Sequence, residues 1–333
     1  EAMKLPITEG YAKYAEAEKL MLEDGYLAPI YQKASAYLEK DYVSGIVNNS
    51  WGADYTYTYA DVDKDDKVLN LATSSDIPTL DLSKATDQQS FQTANTTMEG
   101  LTRVDAEGKV QPGVAESWET SEDGLTWTFK LRKNSTWSNG TPVTAHDFEY
   151  SWKRTLTPET AAEYSYIMAD IVGSSTKEIQ ENGVDGVGVK ALDDYTLEVK
   201  LNRPVAYFAE LVSFQVFFPQ NQAFVESCGD AYGSAADKQL YNGPFTLTSW
   251  KMEDQFTMEK NPNYWDAANV KLNKINTKVV KDTGAEVSLY EDGQIDRAIL
   301  SSDYVDKYKD SKELKTREVA SIFMLQINGG NHK

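Results

Sequence analysis

Two runs of strict alternation constrain this chain more than anything else in it. Leu125, Trp127, Phe129 and Leu131 alternate with polar residues, and Tyr195, Leu197, Val199 and Leu201 repeat the pattern farther along. A side-chain period of two turns one face of a strand to the core and the other to water, so both runs predict half-buried strands. Residues 68–72 read as another strand, 55–59 alternate β-formers, and 27–31 form a short apolar run of strand type. Helical stretches lie between and around them. Residues 9–24 place Tyr11, Tyr14, Ala15, Met21 and Leu22 on one stripe, with Gly25 after Asp24 as a stop. Residues 145–154 follow Pro142-Val143-Thr144, with Thr144 as N-cap, and 285–291 end at Asp292-Gly293. No internal repeat or low-complexity tract interrupts the series. Strands and helices in this order predict a mixed α/β fold with segregated sheets rather than a regular βαβ array.

With 333 residues, 41% of them hydrophobic, the chain can fill two domain-sized units or one large domain with an insertion. No run approaches the ~20 apolar residues of a membrane span. The opening Glu1-Ala2-Met3-Lys4-Leu5-Pro6 lacks a signal peptide's basic-then-apolar layout, so an export signal is read as removed or outside the chain. The net charge of −19 argues against nucleic acid and against anionic membrane surfaces, both of which call for clustered Lys and Arg. Cys228 is the only cysteine, which excludes an internal disulfide and a cysteine metal cluster. It reads as a buried small hydrophobe.

Few residues are arranged for chemistry. His146 and His332 are the only histidines, and neither has a partner at metal-ligand spacing. Nothing orients a catalytic triad around them, and His146 reads as a helix-surface residue. Gly186-Val187-Gly188 lacks the third glycine of a dinucleotide loop and reads as a turn before a strand. Asp61, Asp63 and Asp65 match the first spacings of a calcium loop, but Asp66 and Ala72 stand where Gly and Glu are needed. Residues 61–67 therefore read as a solvated linker. Among 52 acidic residues no pair stands out as acid and base. Together with 20 Tyr and 7 Trp they leave a carbohydrate-active enzyme as a competing reading, against ordinary aromatic packing. No cofactor is nominated.

Longer motifs occur in a fixed order. Ala115-Glu116-Ser117-Trp118 is followed by Asp123-Gly124-Leu125-Thr126-Trp127-Thr128-Phe129-Lys130-Leu131-Arg132. Then comes Trp137-Ser138-Asn139-Gly140-Thr141-Pro142-Val143-Thr144-Ala145-His146-Asp147-Phe148. Tyr241-Asn242-Gly243-Pro244-Phe245 with Trp250, Asn261-Pro262-Asn263-Tyr264-Trp265, and Tyr290-Glu291-Asp292-Gly293-Gln294-Ile295-Asp296 complete the series. On these segments the chain resembles the family 5 extracellular solute-binding proteins, which include oligopeptide- and dipeptide-binding proteins of ABC importers. The resemblance implies a non-enzymatic receptor with a type II periplasmic-binding-protein-like lobe and the extra subdomain of the oligopeptide-binding branch. Such a receptor holds an extended peptide in an interlobe cleft, largely through the peptide backbone.

By the same resemblance, residues 68–88 and 216–333 form lobe I and 89–215 the extra subdomain. Residues 1–60, with Ala17-Glu18-Lys19-Leu20-Met21 and Ala28-Pro29-Ile30-Tyr31, resemble the family's carboxy-terminal end, which completes lobe I; here they come first, joined through 61–67. That order implies an engineered circular permutation that keeps one lobe and deletes the other. Carried over by position, Ser75, Asp76 and Ile77 meet the peptide backbone, and Tyr164 or Tyr166 flanks the cleft. Tyr241, Asn242 and Gly243 contact the ligand, and Tyr31 or Gln32 sits on the returning carboxy-terminal segment. Ordinary strand packing is the alternative for each. The implied partners are an oligopeptide, a membrane ABC permease and the missing second lobe; the parent is implied to be periplasmic or a lipid-anchored surface protein. Because the acidic residue that pairs with the peptide's amino group belongs to the second lobe, this chain is expected to bind peptide weakly or not at all. The same motifs suit receptors for a nickel chelate, haem, an oligosaccharide or a peptide pheromone.

Overall fold

In the computed structural model, which describes residues 5, 7–25, 27–49, 52–105 and 107–327, the two alternating runs become neighbouring strands. The longer strands are β1 (Leu27–Glu39), β2 (Val68–Thr73), β3 (Ala115–Thr120), β4 (Thr126–Leu131), β5 (Val189–Asp193), β6 (Thr196–Lys200), β7 (Phe245–Lys251), β8 (Gln255–Lys260), β9 (Lys274–Val279), β10 (Arg297–Leu300) and β11 (Leu314–Gln326). Four helices position the site: α1 (Ile7–Glu23), α2 (Gln88–Thr97), α3 (Ala145–Leu156) and α4 (Thr283–Glu291).

The first sheet runs β5-β6-β4-β3 and is antiparallel throughout. Trp127 stands opposite Val199 and Phe129 opposite Leu197, so the buried faces of both runs coincide. Helix α3 lies on β5 and β6 with Phe148, Trp152 and Leu156 buried. It starts at Thr144, whose backbone N–H donates to the Asp147 carboxylate at 2.8 Å. Burying each such side chain stabilises by roughly 1.5–3 kcal/mol, and the Trp152 indole N–H is satisfied by the Phe217 carbonyl at 2.8 Å.

The second sheet runs β7-β8-β9-β2, antiparallel except that β2 lies parallel to β9, with Leu69 beside Ile275 and Leu71 beside Thr277. One continuous hydrophobic core joins it to the first sheet. The third sheet, β10-β1-β11, packs Leu38, Ala298 and Leu300 against Val287 and Tyr290 of α4 in a smaller core.

The segregated sheets, the helix after Thr144 and the turn at 186–188 agree with the sequence reading. Four details differ. The strand expected at 27–31 continues to Glu39, because its second half finds partners on both edges. Of the alternating tyrosines only Tyr55–Thr56 is strand, paired with Val47–Asn48. The chain then turns, and the close approach of the Tyr59 carbonyl to Gly45, at φ +71°, leaves no room for a Cβ there. The expected linker begins as strand: Asp61–Val62 pairs with Val43–Ser44, Val62 is fully buried, and the Lys67 ammonium holds Asp61 at 3.0 Å. The apolar stripe of α1 faces solvent, with Tyr11 64% and Leu20 63% exposed.

Candidate functional site

The parallel pair β2 and β9 delivers two chain ends to the same side of the second sheet, where open α/β sheets place their ligands. The Thr73 carbonyl accepts from the Val280 N–H at 2.7 Å, which closes the ladder. Beyond it, Ser74 and Ser75 are exposed, and neither their backbone groups nor their hydroxyls are hydrogen-bonded among the described residues.

Helix α2 supplies the facing wall. Its first turn is capped by Asp87, whose side chain accepts from the Ser90 N–H at 2.8 Å. Gln88, Gln89, Gln92 and Thr96 then share one face. Gln89 accepts from the Thr73 hydroxyl at 2.7 Å. Gln92 brackets Tyr55, accepting from its N–H at 2.9 Å and donating to its carbonyl at 2.8 Å. Asn95 adds bonds to the Tyr55 carbonyl and Thr56 hydroxyl. The hairpin that carries Tyr55 is thus pinned to the helix.

Between these walls lies a cavity of about 360 Å³. Leu71, Phe256, Met258 and Ile275 form an apolar floor; Thr73, Ser74, Ser75, Thr277 and Thr283 give a hydroxyl rim; Tyr55, Tyr57, Asp54, Glu286 and Ile299 close the sides. Burial raises the Glu286 pKa, partly offset by the Ile299 N–H that its carboxylate accepts at 2.8 Å. Apolar floor, hydroxyl and amide donors and acceptors, and free backbone at one edge suit an extended chain.

A second cavity, of about 220 Å³, has Asn95, Glu99, Arg103 and Gln215 among its lining. Beside it two of the ordered sequence motifs meet at one buried carboxylate. Glu99 accepts from the Tyr264 hydroxyl and from the Trp265 indole N–H, the latter at 2.6 Å, with Arg103 at 3.6 Å. Burial raises its pKa against these partners. The Asn242 amide accepts from the Glu99 N–H at 3.0 Å and donates to the Glu99 carbonyl at 2.9 Å. A Cβ on Gly243 would come within 2.5 Å of the Met98 nitrogen. Two motifs therefore bolt the end of α2 to the second sheet.

Of the ten residues carried over from the resemblance, Ser75 lines the first cavity. Asp76 is adjacent but committed inward, accepting from the Trp250 indole at 2.8 Å and the Glu253 N–H at 2.6 Å, and Ile77 is buried. Tyr241 and Asn242 are buried beneath, and Gly243 lies against Met98. Tyr164 packs on Phe91 and Phe214 on the far side of α2, with exposed Tyr166 beside it. Tyr31 stacks on Phe323 at 4.7 Å on the outer part of the third sheet, next to exposed Gln32. The α2 glutamines were missed; an amide-rich helix face at spacing i, i+1, i+4 was the signal available. His146 is a surface residue of α3, 3.4 Å from Asp194, and His332 lies outside the described residues.

Comparison with known proteins gives a consistent picture. The family model described as bacterial extracellular solute-binding proteins, family 5 Middle, matches residues 109–332. The oligopeptide-binding protein OppA of Bacillus subtilis is 37% identical over 249 residues, covering 73% of this chain and 46% of that protein. A dipeptide-binding protein of Lactococcus lactis is 38% identical over 240 residues, covering 71% and 44%. Among solved structures, the substrate-binding domain of an oligopeptide ABC transporter from Bacillus anthracis superposes with a TM-score of 0.73 at 47% identity, covering 75% of this chain and 48% of that one. Listeria monocytogenes OppA bound to peptide gives 0.73 at 42% identity, covering 75% and 49%. The chain spans about half the length of the curated relatives it matches.

Proposed function

The chain belongs to family 5 of the bacterial extracellular solute-binding proteins, and from that premise we propose that it is a peptide-capturing lobe of an ABC importer's receptor. The lobe binds rather than catalyses. It offers half of a cleft in which an extended oligopeptide trades water for main-chain hydrogen bonds. The observation that carries this is the pair Ser74 and Ser75, exposed at the cavity rim with backbone and hydroxyl groups unspent among the described residues. A peptide strand added there continues the line of β2, and the apolar floor accepts side chains without specifying them.

The outer part of the β1–β11 pair supports a second body as partner. Ile30, Tyr31, Phe323 and Leu325 are between 46% and 62% exposed, whereas the inner end of β1, at Tyr37, Leu38 and Glu39, is buried. A missing lobe seated there would close the cleft, and an importer permease would receive the closed pair. Residues 1–60 as the relocated carboxy-terminal segment of an engineered permutation are supported by Val43, Val47 and Tyr57, which are packed into the body. The parent receptor then works outside the cytoplasmic membrane, periplasmic or lipid-anchored. A nickel chelate, haem, oligosaccharide or pheromone receptor is the second reading, which the same scaffold would serve.

The test is an amide chemical-shift map during titration with trialanine. Shifts confined to Thr73, Ser74, Ser75 and the α2 face, lost in Ser75→Pro, support the reading; shifts elsewhere, or none at millimolar peptide, overturn it.

A further inference from the structure

The cavity wall around Tyr55 differs in charge from the rest of this acidic chain, and we infer that it is a carboxylate subsite, held in this structure by the chain's own Asp54. The inference rests on the reading of the cavity as half of a peptide cleft. In the third sheet, Arg297 stands opposite Glu39, while Lys315 and Arg317 stand opposite Tyr37 and Ser35, so all three cations fall on one face. Glu39 takes Lys315 at 2.5 Å and lies 3.7 Å from Arg297.

Arg297 is 5% exposed, and none of its three guanidinium nitrogens has a hydrogen bond among the described residues. It is stacked on Tyr37 at 4.0 Å and on Tyr55 at 4.2 Å. Arg317 stacks on the same Tyr55 ring at 4.6 Å. Its Nη2 meets Asp54 Oδ1 at 2.6 Å and its Nη1 donates to the Asp54 carbonyl at 3.1 Å. Asp54 and Tyr55 both line the cavity, and the Asp54 side chain is 40% exposed against 11% for Arg317. On this face of the sheet three cations therefore meet two carboxylates, and one of those two stands at the cavity on a side chain partly free in solvent; Glu286, the other carboxylate lining the cavity, is engaged by the Ile299 N–H and pushed towards its neutral form by burial.

A buried guanidinium without hydrogen bonds, whose nearest carboxylate is Glu39 at 3.7 Å, has its charge only partly compensated, and low-dielectric walls project the remainder into the adjoining space. A ligand carboxylate arriving in the cavity is drawn to this wall and can replace Asp54 on Arg317, in the bidentate geometry that guanidinium favours. Arg297 remains behind Tyr55 and acts by its field rather than by contact. The carboxylate can be a peptide's C-terminus or an Asp or Glu side chain.

The experiment follows the Arg317 guanidinium resonances by NMR during titration with acetate, with acetamide as the neutral control. Acetate produces a saturable shift that acetamide does not. Asp54→Asn tightens acetate binding by about two- to fivefold, the scale of an exposed ion pair, and Arg317→Gln abolishes the acetate-induced shifts of the residue 54 and 55 amides, the reporters left in that variant, while the melting curve reports that the fold is kept. An acetate response absent from both wild type and Asp54→Asn overturns the subsite. N-acetyl-Ala-Ala, its C-terminal amide, and an amidated peptide with an internal Asp then separate the two sources of carboxylate: the one whose advantage over the neutral peptide disappears in Arg317→Gln is the ligand group. If the neutral peptide binds the rim while acetate leaves Arg317 unmoved, the cleft stands and the subsite falls. If acetate saturates at Arg317 while no peptide binds, the subsite stands and the cleft reading falls.

Discussion

Strand β1 lives in two environments. At its inner end Tyr37 and Leu38 are 7% and 0% exposed, flanked by β10 and β11. At its outer end Ile30 and Tyr31 are 61% and 53% exposed, with β11 the only strand partner among the described residues, and Ile322, Phe323 and Met324 opposite them are exposed too. The residue types barely change along the strand; what changes is whether anything on the chain covers them. In a self-contained domain, apolar side chains in a row are buried by the domain's own elements. The outer strand pair and the stripe of α1 depart from that rule, whereas the body from Val43 to Leu300 obeys it. The body buries its apolar rows, and the arm leaves them exposed as the surface on which the proposed second body would sit.

That contrast is sharpest in large-to-small substitutions. Trp152→Ala, in a fully buried site with its indole N–H bonded to Phe217, is expected to lose about 3–5 kcal/mol of stability, read from the denaturant midpoint. Phe323→Ala, 46% exposed on the arm, should stay within about 0.5 kcal/mol. Comparable losses at both positions would erase the distinction between body and arm.

A smaller effect comes from pH. Burial raises the Asp147 pKa to about 6, against hydrogen bonds from Thr144 and Trp137 that lower it. The folded state therefore prefers the protonated form. The stability this group contributes is fully present below the unfolded value near 3.8 and is lost as pH rises through about 6. The change amounts to roughly 3 kcal/mol at 1.36 kcal/mol per unit. Asp147→Asn should flatten the stability profile between those values; an unchanged profile would show that another group sets it.

Next in size is Asn242→Ala, which unpairs the Glu99 N–H and carbonyl inside the protein and is expected to cost about 2 kcal/mol. Because Asn242 is fully buried, the same substitution should leave trialanine-induced shifts at Ser74 and Ser75 in place. Loss of those shifts in a folded variant would return Asn242 to the ligand.

Much of the body was legible because its signals are local. The β4 and β6 alternation and the Thr144 cap depend on neighbours within a few residues, and the structure keeps both. The tyrosines at 55–59 misled because Tyr favours strands, yet their arrangement was decided by Gly45 and Gln92 from elsewhere. The cavity was hardest to see. Gln88, Gln89 and Gln92 carry no hydrophobic period, and their partners Gly52, Thr73 and Tyr55 come from segments that only the fold brings together. The resemblance identified the right motifs, but Asn242, Tyr264 and Trp265 act on Glu99, whose own position in the sequence attracts no notice.

The central claim is that this body carries only half of a peptide cleft, and calorimetric titration with short peptides beside a thermal melt addresses it most directly. The account predicts an isotherm that does not saturate in the micromolar range and a melting temperature unmoved by dilute peptide. A sub-micromolar one-to-one isotherm would contradict it, as would the roughly 4 kcal/mol of stabilisation expected at a thousandfold excess over such a Kd.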